Sequence, residues 1–119
     1  MENKRLIGRR GELSAAKYLK TRGCRIVGMN FSCRLGEIDV IAEDRDYLIF
    51  VEVKRRKSAA FAEAREFVTP AKQRRVAAAA SLWLQRNPTE KQPRFDVIEV
   101  YSDDGGTERI NHIENAFEL

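Results

Sequence analysis

The sequence predicts an α/β protein: one mixed β-sheet of about five strands flanked by α-helices, with residues 1–119 as a single domain. Three observations carry this. Apolar runs at residues 38–42 and 48–53 flank a polar cluster, Glu43-Asp44-Arg45-Asp46, which is the pattern of a hairpin. Two stretches, 6–22 and 70–86, place apolar residues at helical spacing. Further strand-like runs stand at 24–31, 94–101 and 109–113. The order is helix, strand, hairpin, helix, strand, strand.

In the first helix Leu13, Ala15, Ala16 and Leu19 form the apolar stripe, and Gly23 supplies a stop. Glu12 lies on that stripe. Either it pairs with Arg9 or Arg5 on a solvated edge, or it is a functional acid. Gly8 and Gly11 beside it permit close approach of another backbone. Ile26 and Val27 mark the first strand, and residues 30–35 read as a polar loop or strand edge. Gly36 opens the hairpin, whose turn is Arg45-Asp46. In its second strand Ile49, Val51 and Val53 share one face, while Leu48 and Phe50 share the other, so this strand is central.

Residues 57–67 have no firm period. A basic loop with aromatics beside an acidic site reads as a lid or substrate-contact segment, or as a short helix capping the core. Thr69 and Pro70 are the N-cap and first residue of the second helix. Its buried stripe is Val76, Ala79, Ala80, Trp83 and Leu84, and Asn87-Pro88 ends it. The strand at 94–101 turns Phe95 and Val97 to one face, Ile98 and Val100 to the other. Asp103-Asp104-Gly105-Gly106 is a turn before the final strand. His112, the single histidine, reads as a surface or packing residue.

Composition narrows the function. Hydrophobic residues make up 43 % and charged residues 34 %, the balance of a globular domain. No apolar run approaches a membrane span, and none follows a basic N-terminus, so the expected compartment is the cytoplasm, with no membrane partner. Cys24 and Cys33 are too few and too ill-spaced for a zinc site or a disulfide framework. The net charge of +4 and pI near 9.3 are compatible with nucleic acid without being diagnostic of it. The basic residues cluster at Lys4-Arg5, Arg9-Arg10, Lys54-Arg55-Arg56-Lys57 and Lys72-Gln73-Arg74-Arg75.

Glu37, Asp39, Glu52 and Lys54 interrupt the apolar hairpin, and charged groups in such strands need a reason. Closing the turn at Arg45-Asp46 sets Asp39 opposite Glu52 and Glu37 opposite Lys54. Directly opposed Cβ atoms lie about 4.5–5.5 Å apart. Two carboxylates that close repel unless one is protonated or a cation sits between them. Mg²⁺ (or Mn²⁺) suits oxygen donors from Asp39, Glu52 and the Val53 carbonyl, with Glu12 a further candidate ligand. Lys54 is placed to position or deprotonate water or to hold an anionic oxygen. Asp39, Glu52 and Lys54, with Glu12, are the candidate catalytic set. Arg55, Arg56, Lys72, Gln73 and Arg75 are the candidate nucleic-acid contacts.

An Asp followed by Glu-x-Lys at the end of a hairpin resembles the PD-(D/E)xK nuclease superfamily. Gly11-Glu12, Gly36-Glu37-Ile38-Asp39, Phe50-Val51-Glu52-Val53-Lys54-Arg55, Lys72 and Arg94-Phe95-Asp96 look like the uncharacterised bacterial YraN family within it. The resemblance implies a restriction-endonuclease-like fold and a Mg-dependent nuclease site. Glu12 matches the N-terminal helical acid of the Holliday junction resolvases. Family members often carry Gly after the aromatic of the loop that follows the Lys, where this chain has Phe61-Ala62. The expected partner is nucleic acid, DNA first, and a homodimer is allowed. The alternatives are a non-catalytic nucleic-acid-binding module on the same fold, or a structural charge network.

Overall fold

A computed structural model describes residues 4–56, 69–102 and 107–118, with side chains described from Arg10 onward. The chain runs α1 (Lys4–Thr21), β1 (Arg25–Cys33), β2 (Gly36–Glu43), β3 (Tyr47–Arg56), α2 (Pro70–Arg86), β4 (Gln92–Ser102) and β5 (Glu108–Ile113). The lid or capping helix at 57–67, the turn at 103–106 and the side chains of Arg5 and Arg9 lie outside the described residues.

The five strands form one sheet in the order β1-β2-β3-β4-β5. β3 and β4 are parallel and the other neighbours antiparallel, so the sheet is mixed, as expected. β3 is central, and period-two alternation gives each of its faces a core. Ile49 and Val51 join Val40, Ala42, Ile98 and Val100 beneath Ala15 and Leu19 of α1. Leu48 and Phe50 join Ile38 and Ile41 beneath Val76, Ala79 and Ala80 of α2. The two helices therefore cover opposite faces.

Local chemistry sets the boundaries. Gly23, at φ 88°, ends α1 with the Gly23 N–H donating to the Lys20 carbonyl and the Cys24 N–H to that of Leu19, a Schellman closure. Thr69 Oγ1 accepts from the Lys72 N–H at 3.2 Å and caps α2. Asp44 Oδ1 accepts from the Asp46 and Tyr47 N–H groups and fixes the Arg45-Asp46 turn.

The first strand differs from expectation. β1 continues to Cys33, and a two-residue turn, Arg34-Leu35, joins it to β2. Two irregularities hid this from the sequence. The ladder slips by one between Ile26 and Gly28, and Asn30 sits at φ 53°. Met29 belongs to the α1-side core and Phe31 to the α2-side core, so β1 changes faces at Asn30. Its partner β2 changes faces with it: Val40 joins one core and Ile38 the other.

Two acids of β4, Asp96 and Glu99, are fully buried. Arg94 Nε and Nη2 donate to the two oxygens of Asp96, each at 2.9 Å. His112 Nε2 lies 2.7 Å from Asp96 Oδ2, and the Tyr18 hydroxyl 3.1 Å from His112 Nδ1. The Asn115 N–H donates to Asp96 Oδ1. His112 is thus a packing residue tied into a charged network that joins α1, β4, β5 and the C-terminal segment. Glu99 accepts from Arg56 Nε at 2.9 Å and Asn111 Nδ2 at 2.7 Å.

Candidate active site

The hairpin register is the expected one where β2 and β3 pair: Glu43 with Leu48, through to Val40 with Val51. There the ladder stops. Asp39 and Glu52, and Glu37 and Lys54, are not ladder partners. Instead β2 stays paired to β1, with Ile38 on Phe31 and Glu37 on Ser32, and parts from β3. Asp39 stands at the vertex of this fork. Its Oδ2 accepts from the Val53 N–H at 2.8 Å, so a side chain takes the place of a ladder bond. Packing helps hold the fork open. A Cβ on Gly36 would lie 2.6 Å from the Arg75 carbonyl oxygen, so the start of β2 is pressed against the backbone of α2.

The fork brings charges together from both faces. Glu52 and Lys54 alternate with Val51 and Val53 and so project on the α2 side. Glu12 comes from α1, on the other side. The adjacent Gly11 packs against β3, where a Cβ would meet Val53 and Arg55 side-chain atoms at 3.7 Å. The Glu12 Oε2 atom is buried. Asp39 lies between the two sides, and its pKa is pushed from the ordinary 3.8 up to about 7. Burial is the first cause and the Glu52 charge the second, with Glu12 and Glu37 adding to it; the Val53 N–H bond acts in the opposite sense.

Cations face these acids. Lys54 Nζ lies 3.2 Å from Glu52 Oε1. Lys72 stands in the first turn of α2, and the neighbouring Lys54 lowers its pKa, with a further contribution from burial. Lys72 and Arg75 line a cleft of about 450 Å³ together with Glu37, Glu52 and the β1–β2 turn. Arg55 lies beside Gly11. Gln73 is half-buried on α2. Arg56, expected among the nucleic-acid contacts, is turned to buried Glu99 on the neighbouring strand.

The acids fit a hard divalent cation. Asp39 and Glu52 are oxygen donors whose mutual repulsion a positive ion would relieve. In a strand the N–H and C=O of one residue leave the same edge, so the Val53 carbonyl faces the Asp39 side. Among the described residues no three His, Cys, Asp or Glu side chains form a group able to hold a metal alone. Mg²⁺ commonly uses one or two carboxylates and completes its shell with water and substrate phosphate.

Raised acidity has a measurable consequence. Between pH values near 3.8 and about 7 folded Asp39 keeps a proton that the unfolded chain has released. Stability therefore falls as pH rises through that window, by up to about 4 kcal/mol, shared with the neighbouring acids. In metal-free protein Asp39→Asn should melt higher than the parent at pH 8 and show a flatter pH profile. An unchanged profile in the variant would assign the strain elsewhere.

Sequence reasoning missed the β1–β2 turn as a wall of the site; the Gly after Arg34-Leu35 was the available signal. It also missed the partners of Asp96 and Glu99, of which only Arg94 is a near neighbour and the rest come from distant segments.

Fold and site together define an α/β sheet protein that carries an acid-and-lysine cluster in a fork between two strands. The model of uncharacterised protein family UPF0102 matches residues 11–100, and the chain belongs to that family. It is 47 % identical over 114 residues to a UPF0102 protein of Symbiobacterium thermophilum, covering 95 % of this chain and 97 % of that one. It is 43 % identical over 116 residues to one of Pelotomaculum thermopropionicum, covering 96 % and 97 %. A Geobacter sulfurreducens member is 45 % identical over 116 residues, covering 97 % and 91 %.

Proposed function

We propose that this protein is a metal-dependent nuclease of the PD-(D/E)xK type that hydrolyses phosphodiester bonds in structured or branched DNA in the cytoplasm. The observation that carries this reading is Asp39 at the fork, bonded to the Val53 N–H and pushed to about 7 by burial and by Glu52. Acids crowded in this way favour a bound cation. Asp39, Glu52 and the Val53 carbonyl would hold Mg²⁺ or Mn²⁺, with Glu12 approaching from the opposite face. The ion supplies activation of water and neutralises charge that develops on the phosphate. Lys54 positions the attacking water or holds an anionic phosphate oxygen. Lys72, Gln73, Arg75 and Arg55 bind the DNA backbone, which makes affinity fall with salt. Among the described residues no helix is long and apolar enough to cross a membrane.

The test is a cleavage screen over single-stranded, duplex, flap and four-way-junction DNA with Mg²⁺ or Mn²⁺. Cleavage that stops on chelation is expected. One observation favours a second reading, a nucleic-acid-binding module without chemistry: the Lys54 ammonium already neutralises Glu52 at 3.2 Å. Salt-sensitive binding with no divalent-dependent cleavage of any substrate would establish that reading instead.

A further inference from the structure

The cleft beside the fork shares Glu52 with the candidate catalytic set and otherwise takes no part in the proposed chemical step. Its volume of about 450 Å³ lies at the small end of ligand-sized cavities, about 300–1,000 Å³. One wall is the β1–β2 turn, with Ser32, Arg34 and Leu35; the other is α2, with Lys72 and Arg75. Glu52 lines the cleft as well, which sets the cleft beside the candidate cutting position. Arg34 and Arg75 are exposed, and Leu35 beside them is 53 % exposed.

These features match one kind of ligand. Lys72 and Arg75 suit a phosphate. Guanidinium planes and an apolar side chain suit the face of a base freed from its stack. A volume of about 450 Å³ suits a ligand of nucleotide size and not a duplex. At Gly36 the two walls meet, because the start of β2 is held against the α2 backbone there. We infer that this cleft receives a single unpaired nucleotide of the DNA strand next to the scissile bond, its phosphate between Lys72 and Arg75 and its base against Leu35 and Arg34. This rests on the nuclease reading for the identity of the ligand, and it names the substrate class: DNA with an unpaired nucleotide beside the cut, as at a bulge, flap or branch point.

The test is binding by the full chain in EDTA at low salt, so cleavage does not enter. The probes are a fluorescent duplex and the same duplex with one bulged nucleotide, with 2-aminopurine at the bulge. The bulged probe should bind about tenfold tighter or more, the scale of one stacked base. Ser32→Trp fills the cleft without changing its charge and should erase that preference and the 2-aminopurine response. Arg75→Glu, on the exposed face of α2, should weaken the bulged probe more than the duplex, and circular dichroism confirms that both variants fold. Equal affinity of the parent for both probes, no binding to either, or a preference that survives Ser32→Trp overturns the inference. Absence of cleavage in the divalent screen would sink the nuclease reading while leaving a bulge preference in place.

Discussion

Asp39→Ala is expected to lower divalent-dependent DNA cleavage by on the order of a thousandfold or more while the protein stays folded. A bound cation contributes several kcal/mol of charge stabilisation to such a transition state, and each 1.4 kcal/mol or so is tenfold in rate. On the nuclease reading Asp39 would be the ligand at the vertex of the fork, and Glu37 on the same strand, exposed and paired across to Ser32, would not replace it. The variant loses one hydrogen bond, to the Val53 N–H, and gains relief from the Glu52 charge. These oppose each other, so folding survives. Single-turnover cleavage by the parent and the variant under excess enzyme measures the effect. A variant that cuts at parental rate removes Asp39 from the chemistry.

The largest effect on stability is expected far from the fork, at Asp96. Asp96→Ala leaves Arg94 and His112 facing a buried space with no carboxylate, and removing one partner of a buried ion pair costs about 3–5 kcal/mol. That is a large part of the roughly 5–15 kcal/mol that holds a domain folded. Arg94 keeps its place over the Tyr47 ring, 4.7 Å from the centroid, and a distant contact to Glu114 at 3.9 Å, neither of which replaces the lost pair. Urea denaturation gives the difference; a loss below about 1 kcal/mol would show that the network is dispensable. In the parent, burial raises the Asp96 pKa, but hydrogen bonds from His112, Arg94 and the Asn115 N–H outweigh it and hold the group below the ordinary carboxylate range. Its stabilisation is therefore present above the ordinary 3.8 and is lost as pH falls from there through the lowered folded value, the opposite sense to Asp39.

Much of this was legible in the chain because short-range rules applied. Asp44 announced a turn by its own side-chain hydrogen bonds, and that turn fixed the pairing of Val40 with Val51. Thr69-Pro70 announced α2, which put Lys72 near Lys54. Alternation along β3 placed Glu52 and Lys54 on one face. What failed to show needed either irregular backbone or distant partners. A bulge near Val27 and a left-handed Asn30 broke the period of β1. The fork at Asp39 depends on a side chain replacing a ladder bond, which no periodicity reports. Arg56 reads as one more base in a basic run, and only the alignment of β3 with β4 reveals Glu99 beside it.

The strand carrying Glu52 and Lys54 is clamped unequally along its two edges. Toward β4 it is matched from Tyr47 to Arg56; toward β2 the match ends at Val51. The segment from Gly36 to Asp39 is held instead by β1 and, at Gly36, by the α2 backbone. The acid and the lysine therefore answer to different supports, so a change at Gly36 would displace Asp39 and leave Lys54 on its β4-matched strand.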